Sequence, residues 1–406
     1  MSTGDEPVGV TGSFDIGSTA DQRRVRDMAD RLLAAGRFTD PGGADEPLDL
    51  AIARRLARSK AIVRDLDWSG RIAVLVAMWG ERRRLRPRSE TNPTGEDSLA
   101  VKLDQLAWLF DGSTVDWSLV AVDDGDPEDS ATVAAERAAG HEHGARVAVL
   151  RLETAIPATG GPLASLGHVD DSRKGGAMVL GAVHALDHGA DAVVVTDADG
   201  SVNLGQLGLL LEPFAVGRAD AVIGDRKHPE SVLVKAEARW GPGIVVLRHM
   251  QRMVGRELFD RGLSDTQAPF KLYGRAALEA ILAGPSTFGF SFDADWLYAT
   301  LAAGLRIERV PFAFVDSMAE SASITQGPMT TWESLLTGLV GAARARGAEH
   351  DEEMAAVVDD YARAEVLDLV VRQVPEPLLG VAPEDLGRRE TMTPADLRVW
   401  LETLAP

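Results

Sequence analysis

Cysteine is absent from all 406 residues, which excludes disulfides and thiolate metal sites and leaves carboxylates and histidines as candidate ligands. No stretch of about 18 consecutive apolar residues occurs, so no transmembrane helix is predicted. Positive charge is scarce as well: 42 Lys and Arg stand against 62 Asp and Glu, a net charge of −20. That balance argues against a nucleic-acid or anionic membrane partner, and any phosphate-bearing ligand must then be met by a metal or by local cations. Only six of the cations are lysines, so a lysine near a motif stands out. The first 19 residues lack the basic-then-apolar pattern of a signal peptide, and a cytoplasmic protein is expected. What remains is ordinary for a globular chain, 45% hydrophobic and 26% charged.

Residues 1–20 are expected to be disordered. Residues 21–70 form an N-terminal helical addition with helices over 21–35 and 48–66, separated by the breaker Thr39-Asp-Pro-Gly-Gly43. From residue 71 to 328, short β-rich runs (72–77, 117–122, 146–150, 192–196, 219–223) alternate with helical segments (98–110, 130–139, 175–186, 204–214, 232–258). Such alternation predicts a mostly parallel sheet with helices on both faces, whose ligands gather at the carboxyl ends of the strands. Residues 329–406 read as an acidic helical segment (332–346, 352–374, 394–404). The terminal helices are candidate surfaces for a homo-oligomer.

The richest motif is Ala192-Val-Val-Val-Thr-Asp-Ala-Asp-Gly200. It places Asp197 and Asp199 after a buried-looking β-branched run, two residues apart and hence on one side of an extended chain. Mg²⁺ and Mn²⁺ favour such oxygen ligands together with substrate phosphates, although Asp-Gly also marks a plain turn. The first strand runs into Trp79-Gly-Glu81, an aromatic able to stack on a base beside an acid. The second ends in Asp123-Asp124, acids able to accept from a base or from ribose hydroxyls. Ser172-Arg173-Lys174-Gly-Gly176 is a basic, glycine-rich helix start suited to phosphate. Two loops are long for a compact domain, 82–98 with five arginines and 154–171, and are expected to be functional.

In this order the motifs resemble the nucleotide-sugar glycosyltransferases of family 2, most of all the dolichyl-phosphate glucosyl- and mannosyltransferase branch. Ala77 to Glu81 is similar to Pro-Ala-Tyr-Asn-Glu, Val122 to Gly125 matches Val-Asp-Asp-Gly, and Arg173 to Gly176 resembles Gly-Lys-Gly. Asp197-Ala-Asp199 stands for the metal motif, and Gly224-Asp-Arg226 for Gly-Ser-Arg. Asp265-Thr-Gln267 with Phe270-Lys-Leu272, and Phe292-Asp-Ala-Asp-Trp-Leu-Tyr298, complete the series. The resemblance implies a GT-A fold, a Rossmann-like mixed sheet, and inverting hexosyl transfer from a UDP- or GDP-linked sugar. It further implies a metal (Mg²⁺ or Mn²⁺) on Asp197 and Asp199, with Lys174, Arg173 and Arg226 near the diphosphate and Trp79, Glu81, Asp123 and Asp124 at the nucleoside. Asp265 is the first candidate for the base that activates an acceptor hydroxyl, and Asp293 the second. The acidic, anchor-free chain points to a small soluble acceptor rather than a polyprenyl phosphate. Two further readings are a sugar nucleotidyltransferase, for which the first strand-to-helix turn is poor, and a non-catalytic relative, against which the intact acids count.

Overall fold

The computed structural model describes residues 14–39, 46–234, 241–316 and 327–404. Its central sheet has seven strands: β1 (Arg71–Met78), β2 (Asp116–Asp123), β3 (Val147–Arg151), β4 (Ala192–Asp197), β5 (Ala221–Gly224), β7 (Phe270–Gly274) and β8 (Ile307–Val310). They lie in the order β3-β2-β1-β4-β7-β5-β8, and only β7 runs antiparallel to its neighbours. A second, two-stranded sheet pairs β6 (Val232–Val234) with β9 (Ala313–Val315). The mixed, mostly parallel sheet with helices on both faces and helical additions at the termini is the architecture expected from the sequence.

Alternation along the strands builds two cores. Ala73, Leu75, Val120, Val122, Val193, Val195 and Ile223 face one way; Ile72, Val74, Val76, Leu119, Ala121, Val194 and Val222 face the other. Because both faces are covered, the strands read as near-continuous apolar runs. The second face receives α3 (Ser98–Phe110) and α4 (Ser130–Ala139). The first receives α5 (Gly175–Asp187), α7 (Ile244–Val254), α9 (Arg275–Leu282) and α10 (Phe292–Ala302). The helices α11 (Pro328–Arg346), α12 (Glu352–Tyr361), α13 (Ala364–Val370) and α14 (Pro394–Leu404) join the same core through Leu336, Val340, Met354, Leu367 and Leu397. The N-terminal helices α1 (Thr19–Ala34) and α2 (Leu48–Asp65) pack with β9 in a third cluster.

Several local expectations change. Residues 1–13, expected to be disordered, lie outside the described residues, but from residue 14 the chain is placed, with Ile16 buried and Asp15 paired to Arg88. The helix expected over 232–258 begins at Ile244. Val232-Leu-Val234 is instead a strand, since its branched side chains and backbone pair with β9, residues 235–240 lie outside the described residues, and Pro242 between two glycines interrupts the rest. The helix over 352–374 splits at Ala362 and ends at Val370, where Glu333 of α11 accepts the Ala364 amide at 2.8 Å and restarts the helix. Over 204–214 the helix is irregular, with one α-turn passing into a π-turn at Pro213.

One ion pair fastens α11 to the sheet domain. Asp295 is fully buried and accepts from the Ser286 amide and hydroxyl and from Arg346 Nε and Nη2, at 2.6–3.1 Å. Removing the guanidinium leaves a buried charge half-answered, so Arg346→Met is expected to cost about 3–5 kcal/mol. Urea unfolding of the variant against wild type measures this.

Candidate functional site

The register brings the motif ends to one edge. Ala77 lies opposite Val122 on one side and Asp197 on the other, so Trp79, Asp123, Asp124 and Asp197 cluster where β1 changes neighbours. This is the switch-point crevice of an open α/β sheet. Because β7 is antiparallel, its start delivers Asp265 and Lys271 to the same edge, and β5 delivers Arg226.

At the β1 end Trp79 is half-buried and Gly80 takes a left-handed φ of 70°. Glu81 is buried and accepts both 3.1 and 2.9 Å hydrogen bonds from Arg84 Nη1. Burial pushes its carboxyl up to about 7, Arg84 opposing and Asp199 and Glu96 adding to the rise. Two of the five arginines of residues 82–88 are committed within the protein: Arg84 turns inward between Glu81 and Glu96, and Arg88 pairs with Asp15.

The two acids of β2 differ. Asp123 takes the Gly125, Asp126 and Ala131 amides at 2.9–3.2 Å, holding the turn and the start of α4. Its capacity is spent on the backbone. Asp124 accepts from Ser172 Oγ at 2.5 Å and from the Lys174 amide at 2.6 Å, and burial raises its carboxyl to about 6. The segment before α5 is therefore tied to β2. The Arg173 and Gly175 amides both donate to the Phe288 carbonyl, and the Gly176 amide to Ser172 Oγ. A Cβ at Gly175 would lie 2.6 Å from the Phe288 backbone, so this glycine serves close packing. The helix-start amides that suggested a phosphate cradle are thus occupied within the protein. Arg173 donates to the Asp170 and Ser172 carbonyls. The cation that remains directed at the site is Lys174, held at a left-handed φ of 73° and paired with Asp197 Oδ1.

Asp197 is the last residue of β4, whereas Asp199 lies beyond it in a turn. The two do not share a strand face as their spacing suggests. Burial opposes ionisation of Asp197, but Lys174, Lys102 and Arg226 outweigh it and keep its carboxyl below the usual range. Asp199 accepts from the Ser201 amide at 3.0 Å and from the Ser201 hydroxyl at 2.5 Å. Among the described residues no three acidic or histidine side chains converge as a ready-made cation cage. Two carboxylates without thiolate or imidazole fit a hard cation whose other ligands are phosphate oxygens and water.

Across the crevice Asp265 is bound by Arg226 three times: the amide and Nε to Oδ2 at 2.8 Å, and Nη2 to Oδ1 at 2.7 Å. Burial works against the charge, yet the Arg226 hydrogen bonds and the Arg226 and Lys227 charges hold the carboxyl down at about 2. It is a weak proton acceptor. Asp293, in the first turn of α10, receives Lys271 Nζ at 2.6 Å on Oδ1. Its other oxygen has no hydrogen bond among the described residues, and its charge reaches both Lys174 and Arg226. Lys227 is exposed and donates to the Ser264 carbonyl at 2.5 Å; Asp265 attracts its charge, and Arg252, Arg226 and Arg248 repel it. A positive corner thus lies beside Asp265 in an acidic protein.

Sequence reasoning passed over Lys102, Glu96 and Lys227. The signal for Lys102 was present: it lies on α3 between Leu99 and Leu106, at helical spacing on the apolar face, where a lysine is rare.

No family model matches the chain. An undecaprenyl-phosphate mannosyltransferase of Micrococcus luteus is 32% identical over 154 residues, 38% of this chain and 61% of that protein. The chain thus spans about three-fifths of the length of this curated relative, which bears out the resemblance drawn from the motifs. Among solved structures, a glucosyl-3-phosphoglycerate synthase of Mycobacterium tuberculosis, in complex with Mn²⁺, UDP-glucose and phosphoglyceric acid, aligns with a TM-score of 0.45 and 17% identity, over 73% of this chain and 85% of the other. A mannosyl-3-phosphoglycerate synthase of Rubrobacter xylanophilus aligns with a TM-score of 0.47 and 16% identity, over 72% and 78%.

Proposed function

We propose that the chain transfers a hexosyl group, with inversion, from a nucleoside diphosphate sugar to a small acceptor carrying an anionic group, in the cytoplasm. The observation that carries this reading is the meeting, at one sheet edge, of Asp197, Asp199 and Lys174 on the β4 side with Arg226 and Asp293 across from them. Trp79 stacks on the base, and the Glu81 and Asp124 region borders the nucleoside. Asp123, committed to the backbone, shapes this end without touching the ligand.

A Mg²⁺ or Mn²⁺ ion held by Asp197 and Asp199 would neutralise charge on the diphosphate as it departs. On the protein side, Lys174 leaves Asp197 for a phosphate oxygen, and Arg226 faces the same charge from the opposite wall. The acceptor oxygen forms its bond to the anomeric carbon as the bond to the diphosphate breaks. Asp293 takes the acceptor proton, because one of its oxygens is fixed by Lys271 and the other is open. Asp265 anchors Arg226.

Lys227, with Arg248 and Arg252 of α7, supports an acceptor with a phosphate or carboxylate. The Micrococcus luteus relative favours a second reading, in which that anion is the phosphate of a polyprenyl chain and is itself the nucleophile, so that no base is needed. Among the described residues no helix is long and apolar enough to cross a membrane. One experiment separates these readings: purified protein with Mn²⁺ and UDP- or GDP-sugars is offered either a pool of small anionic metabolites or polyprenyl phosphate in micelles, and products are followed by mass spectrometry. Glycosylated soluble product is expected. Transfer to the polyprenyl phosphate alone moves the assignment to the second reading, and no donor consumption under any condition refutes both.

A further inference from the structure

Behind Asp197 and Asp199 lies a lysine that no motif accounts for. Lys102, in the middle of α3, is 2% exposed, and its ammonium has no hydrogen-bond partner among the described residues. An ammonium stripped of water and left without acceptors is costly, so its surroundings must compensate. The compensation is partial: burial pulls its ammonium below the ordinary lysine range, and the charges of Asp199, Asp197, Glu96 and Glu81, in decreasing order, oppose the fall. Arg84 lies among the same acids, and Lys174 pairs directly with Asp197. Burial pushes the Glu81 carboxyl up to about 7, so the three cations nearly balance the acids around them.

We propose that Lys102 and Lys174 together fill the electrostatic role of the divalent cation in the ligand-free protein, so that metal binds only together with a diphosphate. This rests on the reading of Asp197 and Asp199 as metal ligands. The two lysines act differently. Lys174 sits at the crevice with its side chain 22% exposed and can turn to a phosphate. Lys102, buried in the middle of α3, stays as a fixed counter-charge. A bare divalent ion would make the pocket positive at short range, where the effective dielectric is low. An ion arriving with a diphosphate brings its own negative charge and gives Lys174 a new partner. Lys102 is thus a positioning residue that sets the order of binding and does not touch the donor.

The test is Mn²⁺ binding in the absence of nucleotide, read by electron paramagnetic resonance on the full chain. Wild type is expected to bind Mn²⁺ weakly and to gain affinity when UDP or GDP is added. Lys102→Met and Lys174→Met are each expected to bind Mn²⁺ alone roughly tenfold or more tighter, and adding Glu96→Gln to Lys102→Met is expected to return the affinity toward wild type. Damage to packing alone would weaken binding, not strengthen it. If Lys102→Met does not fold, Lys174→Met decides the matter. Unchanged or weaker Mn²⁺ binding in the folded variants, or wild type binding Mn²⁺ equally well with and without nucleotide, overturns the proposal. Donor turnover by wild type is measured alongside, so unchanged Mn²⁺ affinity in a protein that consumes donor refutes the counter-charge role and not the transferase reading.

Discussion

Asp199→Ala is expected to lower metal-dependent donor turnover on the order of 10³-fold while leaving the chain folded. The loss follows from charge: with one of two carboxylates gone, the cation that stabilises the departing diphosphate is held by Asp197 alone, and Asp197 is already paired with Lys174. The fold survives because Asp199 lies past the end of β4, outside the core, and among the described residues its hydrogen bonds go only to the Ser201 amide and hydroxyl. Giving up such turn bonds costs about 1 kcal/mol. Removing the charge also relieves Glu81, whose carboxyl Asp199 helps to raise. Donor hydrolysis with and without Mn²⁺, alongside thermal unfolding, checks both halves. Full wild-type turnover in excess chelator would show that the two acids serve no metal.

How far the sequence carried this site depends on which physical signal each residue left. The β-branched runs Val193-Val-Val195 and Ile72 to Val76 declared buried parallel strands, because strands covered on both faces need apolar residues at successive positions. The acids at their ends were equally visible, since a carboxylate stands out directly after an apolar run. The strands after residue 225 were not visible: β6, β8 and β9 are three or four residues long, too short for alternation to register, the five-residue β7 carries a lysine inside its apolar run, and their pairing is decided by partners distant in the chain. Side-chain commitments were hidden for the same reason. Asp123 and Asp124 are adjacent and chemically identical, yet one secures a turn and the other ties β2 to the segment before α5, a contact 48 residues away. Arg226 and Asp265 lie 39 residues apart, so nothing local indicated that the favoured base would be neutralised by a guanidinium. The buried ammonium of Lys102 was legible in principle from helical periodicity, but the four acids around it come from the loop after β1, from the end of β4 and the turn beyond it, and from the loop before α3.

That hidden pairing decides the last expectation, which concerns the two acids across the crevice. A general base must hold a proton readily at working pH, and Asp265, held at about 2 by Arg226 with burial opposing, does so poorly. Asp293 is better placed by geometry: Lys271 fixes its orientation through Oδ1, and its other oxygen accepts no hydrogen bond among the described residues. Asp293→Asn is therefore expected to lower transfer to a hydroxyl acceptor by about 10²–10⁴-fold with donor affinity nearly unchanged, since the amide keeps the shape but cannot take the proton. Asp265→Asn should act differently. It keeps a hydrogen-bond acceptor for Arg226 but drops the charge, so the guanidinium is held loosely, the acceptor KM rises and kcat falls less than in Asp293→Asn. Steady-state kinetics of both variants with the same acceptor distinguish the roles. A large kcat loss at unchanged acceptor KM in Asp265→Asn, with Asp293→Asn still active, would return the base to Asp265; near-normal turnover in both would mean that the acceptor attacks as an anion and needs no base.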